Sequence, residues 1–164
     1  MANLRIRLDR VERILRETAG TEYERFQTSW SRAQEEALSE TVTSVARADG
    51  LDWNARRDLG ERIRAEINAD IDRLFLNPIH KTSQPCCYMH SARGDQASIT
   101  DTHGGLTALF FPHFAEEVLR TVVLVHRNAF ARYAGEVVAD RVAAGLAQVV
   151  TDFFDSLIPA RRDD

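Results

Sequence analysis

Proline is scarce and unevenly placed. The 164 residues hold four, at Pro78, Pro85, Pro112 and Pro159, and none falls in 1–77 or 113–158. Proline removes a backbone donor and clashes with the preceding turn, so its absence leaves both stretches free to form long helices. Cysteine is scarcer still: only Cys86 and Cys87 occur, side by side. An adjacent pair makes no disulfide framework and points to a reducing compartment. Long apolar runs are also missing. The longest, "LTALFF" and "VVLV", fall far short of the ~20 residues a membrane-spanning helix needs. The N-terminus, "MANLRIRLDRVERIL", is dotted with Arg and Asp and has neither a continuous apolar core nor a small-residue cleavage site. It does not read as a secretory signal. The expected location is cytoplasmic, with no membrane partner.

Lysine is nearly absent too. Lys81 is the single lysine among 21 basic residues. Codon bias accounts for this simply; selection for bidentate guanidinium contacts is the sharper reading. The net charge is -4 and the pI about 5.7. A mildly acidic chain gains no general attraction to polyanions, so nucleic acid is not an expected partner.

What is present is helical periodicity. Leu4, Leu8, Val11 and Leu15 are spaced by four, three and four, which is one helical stripe. Gly20 followed by Thr21 reads as a stop and a new N-cap. A second helix is expected from about Thr21 to Ala48, on the stripe Tyr23, Phe26, Trp30, Ala33, Ala37, Thr41 or Val42, and Val45. "ADG" at 48–50 is a turn signal. A third helix opens after Asp52 and carries Leu59, Ile63, Ile67, Ile71, Leu74 and Phe75 up to "NP" at 77–78. The periodicity vanishes over 77–105. It returns near Pro112, a residue suited to the first turn, and continues to Ile158. Val118, Leu119, Val122, Val123 and Val125 mark a central, buried helix. Gly135 splits or kinks the segment. Beyond it lies the stripe Val138, Val142, Val149, Phe153 and Leu157, followed by a polar tail at 159–164.

The expected fold is therefore all-α: a single domain over 1–164, built as a bundle of four to five unequal helices with one long polar insert at about 77–105. The second helix alone would span roughly 40 Å. Helices that long in a small chain often pack against another subunit, which makes Tyr23, Phe26 and Trp30 candidate interface residues.

Three further sites merit consideration. The first is the insert, "QPCCYMHSARGDQASITDTHGG". Cys86, Cys87, His90, His103 and His113 offer thiolate and imidazole, the ligands zinc prefers. Their spacing lacks the two separated pairs typical of structural sites, so the expected cofactor is none, with zinc as the alternative. The second is a cysteine nucleophile at Cys86 or Cys87, based by His103 or His113; "PCCYMH" matches no local nucleophile signature. "RGD" at 93–95 is attributed to chance. The third is Arg120 and His126, an Arg-x5-His arrangement. It resembles the short motif of helical ribonucleases of the HEPN type, over seven residues of 164. The resemblance implies RNA cleavage at a composite site across a dimer, with His126 as acid or base and Arg120 stabilising phosphate charge. Thr121 departs from the polar residue often found after that arginine. His126 also falls on the stripe Leu119, Val122, Val123, Phe130, which reads as a core histidine.

The leading expectation is a non-enzymatic helical protein that acts by assembly or interaction, as a homo-oligomer or part of a larger complex. A zinc-binding domain and a HEPN-like ribonuclease are the alternatives.

Overall fold

The computed structural model describes residues 2–75 and 112–157, with only the backbone described at 2–6, 8, 12, 15, 16, 19 and 75. Four helices make up this part: α1 (Ala2–Asp49), α2 (Trp53–Phe75), α3 (Pro112–Ala134) and α4 (Glu136–Leu157). The all-α bundle expected from the periodicity is the fold.

The expected break at Gly20 does not occur. α1 runs through it for 48 residues, about 72 Å at 1.5 Å per residue. Thr21 caps nothing; its Oγ1 donates to the carbonyl of Glu17 at 3.0 Å, a bond back into the same helix. A glycine inside a helix costs only about 1 kcal/mol. Tertiary packing from Tyr23 onward, with an i,i+4 pair such as Arg13–Glu17, outweighs that cost.

The other boundaries follow local chemistry. Gly50, at φ 67°, takes the left-handed conformation that ends α1, and the Leu51 amide donates to the Ala46 carbonyl at 3.1 Å. This is a Schellman closure. Asp52 then caps α2, its Oδ1 accepting from the Ala55 amide at 2.8 Å. Gly135, at φ 82°, splits α3 from α4. Its amide closes the end of α3 on the Ala131 carbonyl, and its own carbonyl accepts from Ala139 to open α4. Pro112 is the first residue of α3, as expected.

Cross-helix contacts set the topology. Glu35 pairs with Arg64, Glu40 with Arg141, Arg127 with Asp140, and Arg132 with Asp70. Each neighbouring pair in the chain is antiparallel, so α3 runs parallel to α1. α4 packs most extensively, lying against both α1 and α3.

The core forms where the four apolar faces meet. Tyr23, Phe26 and Trp30 of α1 are almost wholly buried. Phe26 stacks on Phe153 with ring centroids 4.5 Å apart. These three aromatics therefore fill the chain's own core and not an interface, because α4 presents Phe153 and Phe154 to the same face. On α4 the inner face is Ala139, Val142, Ala143, Leu146, Val150, Phe153 and Phe154. The expected stripe was rotated from this by about one residue: Val138, Val149 and Leu157 are flanking and only partly buried. On α2, Leu59, Ile63 and Ile67 are buried, whereas Leu74 is 45% exposed.

The two glycines should respond oppositely to alanine. Gly20 has open space where a Cβ would stand and an ordinary helical φ. Gly20→Ala is expected to stabilise the fold by about 0.5–1 kcal/mol through helix propensity. Gly135→Ala forces an L-residue into a left-handed conformation and should cost about 1–2 kcal/mol. Urea denaturation of both variants measures the two signs.

Candidate functional site: the α1–α4 cleft, the buried histidine and the α1 overhang

Along the outer seam of α1 and α4 runs a shallow cleft of about 330 Å³. Small residues create it. Ala33 and Ala37 on α1 face Gly145 on α4, and no atom comes within 4 Å of where a Gly145 Cβ would stand. Arg32, Glu36, Glu40 and Arg141 rim the cleft, and a polar surface with Glu35, Ser39, Thr43, Ser44 and Arg47 continues it. The rim charges answer one another. Arg141 Nε donates to Glu40 at 2.6 Å, Arg32 to Glu36 at 3.0 Å, and Arg64 to Glu35 at 3.1 Å. These exposed pairs are each worth about 0–1 kcal/mol. They leave a surface of matched charge, which gives no preference for a ligand of either sign.

His126 is only 1% exposed. Its Nδ1 lies 2.8 Å from the Val122 carbonyl, which can only accept, so Nδ1 carries the proton. Nε2 then accepts from the Gln34 amide nitrogen at 2.8 Å. Trp30 meets the ring edge-on at 5.6 Å. Burial pushes the His126 pKa below its ordinary 6.5, and the bond to Val122 opposes this only in part. The result is a neutral imidazole with both nitrogens engaged, tying α3 to α1.

Arg120 lies elsewhere. It is exposed and pairs with Glu116 one turn before it, Nε to Oε1 at 2.9 Å. Six residues of helix turn through about 240°, so Arg120 and His126 occupy different faces of α3. The chain does not bring them together. Of the proposed metal ligands, Cys86, Cys87, His90 and His103 lie outside the described residues. His113 is exposed in the first turn of α3. Among the described residues no group of three or more His, Cys, Asp or Glu could hold a metal ion.

A polar cluster between α2 and α3 was not foreseen. The Tyr133 hydroxyl donates to Glu66, and Arg132 bridges Asp70 at 2.8 Å and Glu66 at 3.3 Å. The carboxylate of Glu66 raises the Tyr133 pKa above its usual value. The adjacent Arg132 and Tyr133 at the end of α3, with acidic residues spaced by four at 66 and 70, are the signal that could have revealed it.

The remaining feature is the overhang. Carried to the ends of α2, α3 and α4, the cross-helix registers bring all three to the level of about Gly20. About 18 residues of α1, ~27 Å, extend beyond them. On this overhang Val11 is 54% exposed and Ile14 48%. Among the described residues, no helix is long and apolar enough to cross a membrane. Compared with known families, curated proteins and solved structures, the chain shows no match.

Because the His126 pKa is lowered on folding, the unfolded chain binds the proton first as the pH falls. The contribution of His126 to stability is full above about 6.5, the unfolded value, and is lost progressively as the pH drops toward the lowered folded value. Denaturation between pH 7.5 and 5 should show this loss in the wild type. His126→Gln removes the titrating group, so its stability should fall less steeply over the same window. Parallel slopes would mean that His126 does not titrate there.

Proposed function

We propose that the protein is a non-enzymatic helical assembly protein of the cytoplasm, acting through association with copies of itself or within a larger complex. One observation carries this reading: α1 is twice the length of any other described helix, and its surplus bears exposed Val11 and Ile14. A chain that needed α1 only for its own core would gain nothing by extending it past Gly20. An isolated helix of this length is marginal in water, and apolar side chains left on it lose the stabilisation of burial, about 25 cal/mol per Å². A partner that covers the overhang restores both.

The buried imidazole supports the same reading. His126 spends its proton and its lone pair on Val122 and Gln34. Its work is structural, and it holds straight the helix that carries the overhang.

Sedimentation velocity of the full chain across a hundredfold range of concentration tests the proposal. A multimer that dissociates on dilution is expected. A species of 18.5 kDa at every concentration overturns it.

A further inference from the structure

We infer that the occupant of the overhang is a second copy of this chain, and that the two α1 arms pair antiparallel through residues 4–15. This rests on the assembly reading and names its partner and geometry.

The argument begins with the stripe. Leu4, Leu8, Val11 and Leu15 follow the four–three alternation of a two-helix seam. The described member, Val11, is 54% exposed; the leucines are placed here by register alone. Residues at 100° intervals put this stripe nearly in line with Tyr23, Phe26 and Trp30. The arm therefore prolongs the same face of α1 that α3 and α4 cover further along. A second arm laid parallel on that face would drive its own bundle into α3 and α4 of the first. Laid antiparallel, the two bundles sit at opposite ends. Each arm tip then reaches about the level of Gly20, where the other chain's α3 and α4 stop.

Charge complementarity agrees. In the antiparallel alignment Leu4 meets Leu15 of the partner subunit, and Leu8 meets Val11 of the partner subunit. The same alignment sets Arg5 opposite Glu12 of the partner subunit, and two-fold symmetry repeats the pair. Flanking charges of this kind select partner and orientation in paired helices. Arg7 falls opposite Ile14 of the partner subunit, where its aliphatic stem can cover the apolar side chain. In the parallel alternative Arg7, not Arg5, would oppose Glu12 of the partner subunit, so the two arginines report orientation.

The test uses the full chain and four variants, with mass from sedimentation and folding from circular dichroism. Wild type should be a dimer, twice 18.5 kDa. Val11→Asp should be monomeric with the bundle still folded, because position 11 lies outside the core. Arg5→Glu should weaken dimerisation roughly tenfold, the double swap R5E/E12R should recover most of that loss, and Arg7→Glu should change it by no more than about threefold. A wild-type multimer that Val11→Asp leaves intact overturns the inference, while assembly through another surface stands. Weakening by Arg7→Glu in place of Arg5→Glu overturns the antiparallel geometry. A monomeric wild type overturns both readings; if Val11→Asp then also lowers the melting temperature, the stripe is covered from within one chain.

Discussion

The stack of Phe26 on Phe153, ring centroids 4.5 Å apart, sets the longitudinal register of α1 against α4, and the rest of the molecule depends on that register. Sliding one helix by a turn would separate the rings and move Arg141 away from Glu40. It would also carry the small residues of α4 away from Ala33 and Ala37. Aromatic contacts of this kind add about 0.5–1.5 kcal/mol beyond area burial. Their larger effect is to select one alignment among several that an apolar seam would accept. With this register set, the lengths of the helices determine where each ends, and the surplus of α1 follows.

Much of this organisation was legible in the sequence, and the exceptions are instructive. The proline-free stretches and the apolar stripes located all four described helices, and Asp52, Pro112 and Gly135 marked boundaries that the structure keeps. Gly20 misled because a local stop signal is worth only about 1 kcal/mol, and packing downstream outweighs it. Tyr23, Phe26 and Trp30 looked equally suited to an interface or a core. Only α4 decides between them, and no periodicity within α1 reports what lies across from it. The α4 stripe was misjudged for a related reason. Its valines form a period as regular as Ala139, Leu146, Val150 and Phe154, but the alanines sit at the closest approach, where size and not hydrophobicity governs. His126 was legible as a core histidine; its partner Gln34 was not, since 92 residues separate them.

Two kinds of adhesion hold the bundle. α1, α3 and α4 share the aromatic and aliphatic centre, whereas α2 adds Leu59, Ile63 and Ile67 at its edge. Its attachment to α3 is reinforced by ion pairs and the Tyr133–Glu66 bond. Half-exposed ion pairs contribute little each in water, but they discriminate between registers as the aromatic stack does between α1 and α4. α2 is thus the helix whose place is most sensitive to ionic strength.

The arm and the core are coupled through helix cooperativity. An 18-residue segment must otherwise meet the nucleation cost of a helix alone, and it carries a glycine near its base. Continuity with the packed half of α1 removes that cost, because the turns from Tyr23 to Thr41 are already held. Each further turn toward the N-terminus then adds by propagation, aided by pairs such as Arg13–Glu17. The dependence also runs in reverse. Loosening the contact of Tyr23 and Phe26 with Phe153 removes the nucleus nearest the arm, so the arm frays before the bundle opens. A surface that exists only while the core is intact presents its apolar stripe only from a folded chain. That restricts association to folded copies and keeps the stripe from serving as a general site of aggregation.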